Sequence, residues 1–202
     1  LAAAPAPRAR TGLLLRSGSV EAASRAAAGL PFQVQDEGAQ LVGWLAAGEL
    51  CGRRARILAA CAAPGGKAGH LAEMLGAGSG VVAVEVHPRK AEVLRRDAAA
   101  RGLEAVRVIC ADASRPVAGL DPRSFDAVLV DAPCAGLGTL RRHPELKLRR
   151  GAADVPRLAS IQEAILRRAL SWARPGGVVT YSVCSLTRAE GPGLVARLLA
   201  GP

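Results

Sequence analysis

Two cysteine side chains are the first candidates for chemistry in this sequence. Cys134 ends the segment 131–134 (Asp-Ala-Pro-Cys), and Cys184 lies in the segment 181–185 (Tyr-Ser-Val-Cys-Ser). Both segments close short apolar runs, so we expect both thiols just past the ends of strands. A thiolate is a nucleophile for covalent catalysis, and a carboxyl group such as Asp131 can supply a proton or a hydrogen bond beside it. The alternative is that a free cysteine packs as a small apolar residue.

A loop of small residues and three acidic residues form the second set of candidates. The loop has the sequence Cys61-Ala62-Ala63-Pro64-Gly65-Gly66-Lys67. Small residues let a ligand approach the backbone at the positive end of the following helix. Glu85 comes nineteen residues after Gly66, and an acidic residue there accepts hydrogen bonds from ribose hydroxyls. Asp112 and Asp131 end two further strands, although a solvated strand end would explain each acidic residue alone.

Other patterns in the chain indicate no further ligand site. The segment 76–80 (Gly-Ala-Gly-Ser-Gly) precedes a strand instead of following one, so we interpret it as a helix end and a turn. The pair Gly66-Lys67 is not part of a phosphate-binding P-loop, because Cys61 and Ala68 stand where that motif needs Gly and Ser or Thr. The three histidines share no ligand spacing, and no metal is predicted.

Strands and helices must bring these candidate residues together. The hydrophobic pattern predicts strands that alternate with helices along the chain. Strands are predicted at residues 56–60, 81–86, 106–110, 125–130 and 178–182. Helices are predicted at residues 39–47, 67–75, 88–101, 158–173 and 188–200. Asp36 is expected to cap the first of them. Such alternation predicts an α/β fold with a mostly parallel sheet and helices on both faces. The candidates then share the carboxyl edge of the sheet, where ligands bind.

Composition and charge narrow the class of protein. The chain has 202 residues, 27 Lys and Arg against 17 Asp and Glu, and a net charge of +10. This length fits one domain, and the charge favours a polyanion such as nucleic acid as partner. A compositional bias towards Arg and Ala is the alternative explanation. No apolar run reaches the length of a membrane span. Five widely spaced cysteines argue against a disulfide framework and favour the cytoplasm.

Five motifs in order resemble one known family. They are the segments 34–37, 61–67, 131–134, 141–145 and 181–185. Together they resemble the Sun/Fmu (RsmB-type, NOP/NSUN) family of RNA cytosine-5 methyltransferases, over about residues 30–195. The resemblance implies a methyltransferase with a Rossmann-like class I fold and S-adenosylmethionine as its cofactor.

The resemblance also implies roles for the candidates. The loop from Cys61 to Lys67 would hold S-adenosylmethionine, with Glu85 on the ribose and Asp112 near the adenine. Asp131 would face the substrate pocket and serve both catalysis and binding. Carbon 5 of cytosine is a poor nucleophile, so a thiolate must first add to carbon 6. Cys184 would be this nucleophile, and Cys134 would assist release of the product.

The implied substrate is RNA, in particular ribosomal RNA. Residues 141–150 carry a net charge of +4, and we expect phosphate contacts from four side chains there: Arg141, Arg142, His143 and Lys147. The alternative is a solvated polar loop. The protein is expected to be a monomer that needs neither metal nor membrane.

The domain organisation and several departures from the family complete the sequence-based expectations. Residues 1–30 are interpreted as a linker or as the end of an N-terminal region, and residues 31–202 as the catalytic domain. This domain lacks the family's C-terminal strand hairpin. Ala59 and Ala68 replace a common Asp and Thr, and only Glu190 remains of a common Glu-Asn pair. These departures leave open a second hypothesis, a binding module that holds RNA or cofactor without turnover.

Overall fold

The computed structural model describes residues 2–8, 12–27 and 32–201, and their elements run as follows. In chain order they are β1 (Ala2–Pro5), β2 (Leu13–Ser17), α1 (Val20–Ala26), α2 (Glu37–Ala47), β3 (Arg56–Ala60), α3 (Gly66–Met74), β4 (Gly80–Glu85), α4 (Pro88–Ala100), β5 (Val106–Cys110), β6 (Phe125–Asp131), α5 (Leu146–Arg149), α6 (Asp154–Trp172), β7 (Ala173–Ser182) and α7 (Pro192–Leu199).

The main sheet is parallel and has the strand order β5-β4-β3-β6-β7. In β3, Leu58 pairs with Val82 of β4 on one side and with Val128 of β6 on the other. These central strands are continuous apolar runs because both of their faces are covered. The predictions of an α/β fold and of a parallel sheet are confirmed.

Two apolar cores lie on opposite faces of this sheet, as the alternation along β3 shows. Ile57 and Ala59 pack with residues of α2, α3 and α4. Leu58 and Ala60 pack with residues of α6 and α7, including Trp172. Since successive side chains of a strand point to opposite faces, one short strand contributes to both cores. Helices therefore cover both faces, as predicted.

The strand order reverses between β3 and β6, and this position determines where the candidate residues meet. From β3 the chain adds β4 and β5 on one side, then crosses to add β6 and β7 on the other. Such a switch point opens a crevice at the carboxyl ends of the strands. The loop from Cys61 to Lys67 and the loop after Asp131 border this crevice.

The structure also differs from the sequence-based expectations in several places. The described part of residues 1–30, interpreted as a linker or as the end of an N-terminal region, contains the antiparallel pair β1–β2 and the helix α1, which the sequence pattern did not predict. These elements are short, and Ala is their commonest residue, so they have no sustained apolar period to reveal them. Asp36 stands at the N-cap of α2, but its side chain makes no capping hydrogen bond. Among the described residues, no strand follows β7, and no helix has both the length and the apolar character of a membrane span.

Candidate active site

The two candidate cysteines meet at the carboxyl edge of the sheet. The Sγ atoms of Cys134 and Cys184 lie 3.2 Å apart. This distance suits a hydrogen bond between sulfur atoms and is longer than the roughly 2.05 Å of a disulfide. Backbone bonds help to align the two loops, since Gly138 N donates to Cys184 O at 2.9 Å.

The contact between the thiols shifts their pKa values in opposite directions. The hydrogen bond with Cys134 lowers the pKa of Cys184 to about 6. The same bond, together with burial, raises the pKa of Cys134. Cys184 is exposed, whereas Cys134 is half-buried. The arrangement therefore favours the thiolate form of Cys184 and the protonated form of Cys134.

An ion pair crosses the crevice next to the thiols. Lys67, from the first turn of α3, donates from Nζ to Oδ2 of Asp131 at 2.8 Å. Both side chains are partly exposed. On the pKa of Cys184 the two charges act in opposite directions: Asp131 raises it and Lys67 lowers it. The pair brings the small-residue loop and the strand end of β6 into one site.

The small-residue loop turns sharply and is held by Glu85. Gly65 has φ of 116°, a conformation that side chains rarely adopt, and a Cβ atom there would lie 3.1 Å from Leu94. Glu85 is 5% exposed and accepts hydrogen bonds from Ala63 N at 3.4 Å and His87 N at 2.9 Å. Burial, with the charges of nearby carboxylates, raises the pKa of Cys61 to about 12. Cys61 is thus a neutral thiol in the wall of the site.

A cavity of about 430 Å³ opens between the loop and α6. Val86 and Ile161, both exposed, give it apolar walls. Asp112 is at its rim, where its Oδ1 accepts from Ser114 N at 2.9 Å and Ser114 Oγ at 2.7 Å. These bonds lower the pKa of Asp112. Apolar walls with a carboxylate at the rim fit a nucleoside, whose base is flat and whose edges are polar.

The predicted cofactor residues do not all line this cavity. Cys61 and Asp112 do, whereas Glu85, Lys67 and Asp131 lie outside its lining. Two of the three departures from the family pattern, Ala59 and Ala68, are 2% and 0% exposed within the apolar core beneath the loop. Neither alanine lines the cavity.

The four predicted RNA-binding side chains are exposed but differ in their partners. Arg142 donates two hydrogen bonds, both of 2.8 Å, to the carboxylate of Asp36. His143 pairs with Glu145 at 3.3 Å. Arg141 and Lys147 form no ion pair within the described part of the chain. Of the four, these two have no ion-pair partner among the described residues, so they can meet a phosphate.

Sequence reasoning missed the role of a buried polar cluster behind the thiols. Glu190 is 0% exposed, and its carboxylate accepts from Ala135 N at 2.8 Å and from Gln162 Nε2 at 3.0 Å. Hydroxyl groups of Ser185 and Thr187 also donate to it. The spacing of Thr187 and Glu190 is that of a capping box, a signal that predicts only a local contact.

No group of His, Cys, Asp and Glu within residues 2–8, 12–27 and 32–201 could hold a metal ion.

Comparison with known protein families gives a match over most of the chain. Residues 52–201 match the family described as 16S rRNA methyltransferase RsmB/F. A relative, the ribosomal RNA small subunit methyltransferase B of Vibrio cholerae, is 41% identical over 160 residues, covering 78% of this chain and 35% of that protein. The chain therefore spans about a third of the length of that relative.

Two solved structures share the fold. The crystal structure of PH0851 has a TM-score of 0.87 and 25% identity, covering 98% of this chain and 44% of that one. NSun6 from Pyrococcus horikoshii, solved with SFG, has a TM-score of 0.64 and 29% identity, covering 72% of this chain and 37% of that one. The family resemblance seen in the sequence is confirmed. With 150 consecutive residues matched and the fold shared, the chain belongs to the RsmB/F family of 16S rRNA methyltransferases.

Proposed function

We propose that this domain methylates carbon 5 of a cytosine in ribosomal RNA through a covalent bond between Cys184 and the base. The observation that carries the proposal is the pair of thiols 3.2 Å apart at the switch point of the sheet. A pair in which one thiol is a thiolate and the other keeps its proton suits a reaction that needs both attack and release.

S-adenosylmethionine is the cofactor, as the sequence predicted. The family is one of methyltransferases, and SFG, in the NSun6 structure, is an analogue of S-adenosylmethionine. The apolar cavity beside Asp112 has the size and character for the adenine, and Glu85 and the backbone of residues 61–67 are proposed to hold the ribose and the methionyl part. When bound, S-adenosylmethionine supplies an electrophilic methyl group.

Cys184 would act first on the substrate. Its thiolate forms a bond to carbon 6 of cytosine, and the electron pair of the 5,6 double bond moves towards carbon 5, which becomes nucleophilic. After carbon 5 has gained the methyl group, a base removes the proton from carbon 5. That electron pair restores the double bond as the bond between sulfur and carbon 6 breaks. Cys134 would assist this elimination, which returns the thiolate of Cys184.

Asp131 and Lys67 would stabilise the negative charge that develops on the cytosine ring. Addition at carbon 6 puts negative charge on the ring at nitrogen 3, and a proton or hydrogen bond there lowers the barrier. Asp131 is proposed to provide it by relaying a proton from the ammonium group of Lys67, which donates to its carboxylate at 2.8 Å. The ion pair fixes the direction of the carboxylate before the base arrives.

Recognition of RNA would depend on charge more than on stacking. Aromatic residues make up 2% of the chain, so few bases could stack on side chains. Arg141 and Lys147, which are exposed and form no ion pair among the described residues, are proposed to contact phosphates, with Arg142 and His143 beside them. A monomer in the cytoplasm remains the prediction for the state of the protein.

A 5-fluorocytosine trap tests the proposal. A 16S rRNA transcript containing 5-fluorocytidine is incubated with the chain and S-adenosylmethionine and then analysed by denaturing gel electrophoresis. Fluorine cannot leave carbon 5 as a proton does, so a cofactor-dependent covalent band should persist. Cys51→Ala, at an exposed cysteine remote from the site, is the matched control and should keep the band. Binding of RNA and cofactor without any band would contradict the proposal and favour a module without turnover.

A further inference from the structure

The buried carboxylate of Glu190 holds the two cysteine loops at once. Its Oε1 accepts from Ala135 N, directly after Cys134. Its Oε2 accepts from the hydroxyl groups of Ser185, directly after Cys184, and Thr187. One side chain thus bonds to the neighbours of both thiols, although the two cysteines are fifty residues apart in the chain.

Gln162 and Tyr181 extend the cluster to α6 and to β7. Gln162 Nε2 donates both to Glu190 Oε1 at 3.0 Å and to Pro133 O at 2.8 Å. The hydroxyl of Tyr181 lies 2.6 Å from Glu190 O and 3.0 Å from Gln162 Oε1. Glu190 is therefore anchored by the rigid elements beneath it, and its carboxylate has a fixed direction.

A buried carboxylate needs this many donors. It is acceptor-only and offers about four lone-pair positions, and four donors occupy them here. Burial alone would raise the pKa of Glu190, but the hydrogen bonds from Ser185, Ala135, Gln162 and Thr187 outweigh it and lower the pKa. The cluster is satisfied only when both cysteine loops are in contact with it.

We propose that Glu190 is a positioning residue: it holds the loops after β6 and β7 together, so that the Sγ atoms of Cys134 and Cys184 stay within hydrogen-bonding distance. Its part in catalysis rests on the proposed function. The thiol contact itself does not, and it is measured without RNA or cofactor.

The direct test is the rate at which the two thiols form a disulfide. Diamide oxidises two neighbouring thiols to a disulfide and is itself reduced to the hydrazine, taking up both protons. In the unaltered chain the bond between Cys134 and Cys184 should form quickly, as read by peptide mass spectrometry. Glu190→Ala should slow it at least about tenfold, since thiols held in place react with high effective concentration. Glu190→Gln should restore most of the rate, because its amide oxygen can face Ala135 and Gln162 while the hydroxyl groups turn to accept.

The pH profile of Cys184 alkylation by iodoacetamide gives an independent readout. Reactivity follows the thiolate, so in the unaltered chain it should be present above pH 6 and lost as the pH falls through about 6. Glu190→Ala should move the midpoint up towards the ordinary thiol value of about 8.5. Cys134→Ala should have the same effect, and Glu190→Ala should then add nothing further, since it acts through Cys134.

Controls separate positioning from general destabilisation. Glu163→Ala removes a carboxylate of α6 that pairs with Arg167 and Arg197, and it should change neither readout. If Glu190→Ala does not fold, Ser185→Ala with Thr187→Val removes two of the four donors and should give intermediate shifts. A folded Glu190→Ala protein with the unaltered disulfide rate and alkylation profile would overturn the proposal. Because neither assay uses RNA or cofactor, that outcome would leave the proposed function standing.

Discussion

The two halves of the site are built in different ways. The cofactor half, proposed to bind S-adenosylmethionine, comprises the loop 61–67 and the ends of β4 and β5. Its acidic residues accept their shorter bonds from near neighbours, Glu85 from the backbone of His87 and Asp112 from Ser114, each two residues away. Glu85 also accepts a longer bond of 3.4 Å from Ala63 N. The thiol half comprises the loops after β6 and β7. There the bonds join Cys134 to Cys184 and Ala135 to Glu190, fifty and 55 residues apart.

The two halves differ in how much of the fold must be intact to keep their side chains in place. A carboxylate held by its own turn keeps its direction as long as the turn exists. A contact between two loops exists only when the whole sheet is assembled around α6. The thiol half therefore depends on cooperative folding, and it is the half more easily disturbed by distant substitutions. Lys67 and Asp131 connect the halves, 64 residues apart.

The largest effects are expected for the two cysteines of the thiol half, and the two variants should differ. Cys184→Ala should abolish both methylation and the covalent adduct, because it removes the group proposed to attack carbon 6. Cys134→Ala should leave attack intact and slow elimination, so an adduct should accumulate on ordinary cytosine RNA. Denaturing electrophoresis should show an RNA-dependent shifted band for Cys134→Ala alone. The opposite pattern would assign the attack to Cys134, and full activity of Cys184→Ala would refute the covalent mechanism.

The second largest effect is expected for Asp131, whose ion pair with Lys67 joins the two halves. Asp131→Asn should lower the rate of methyl transfer by about 10² to 10⁴, the usual contribution of a positioned acid or base. Single-turnover transfer of labelled methyl groups measures it. The matched control is Asp126→Asn, on the same strand at the opposite edge of the sheet, where the carboxylate pairs with Arg174. Equal losses in the two variants would indicate damage to β6 rather than a role for Asp131.

A third prediction tests the cofactor half. Glu85→Ala should weaken S-adenosylmethionine binding by about 1.5 to 3 kcal/mol, the cost of a lost charge-assisted hydrogen bond. The loss has a second source, because Glu85 also holds Ala63 in the loop. Calorimetric titration measures the change, with Glu92→Ala on the exposed face of α4 as control. Unchanged affinity in a folded Glu85→Ala protein would remove Glu85 from the binding site.

The smallest effect concerns the basic segment at the border of the thiol half. Neutralising Arg141 and Lys147 should flatten the salt dependence of RNA binding by roughly 0.7 to 0.9 in slope per lost phosphate contact. Arg142→Gln should change the slope less, because Asp36 already holds this guanidinium. Fluorescence anisotropy across a salt series measures the slopes. Arg95→Gln, at a residue paired with Glu92, is the control. A larger change for Arg142 than for Arg141 and Lys147 would mean that Asp36 releases it to RNA.

The alternation of apolar runs and helical periods was enough to predict the sheet, its parallel strands and the helices on both faces. These features depend on short-range patterns. An apolar run such as residues 81–84 is buried completely only in a strand whose two faces are both covered. The loop 61–67 and the acidic strand ends were found in the same way, because each lies directly after a strand. The antiparallel pair β1–β2 was not found, since its residues have no comparable pattern.

The tertiary structure alone decided which of these residues touch. The order of the strands brings β6 beside β7 and so brings Cys134 to Cys184. It also gives Glu190 its four donors and takes the carboxylate of Asp36 away from its own helix to Arg142. Local sequence can state what a residue is able to bond, because donors and acceptors are properties of the side chain. Which partner it meets 28, fifty or 106 residues away depends on how the elements pack, and that is a property of the whole fold.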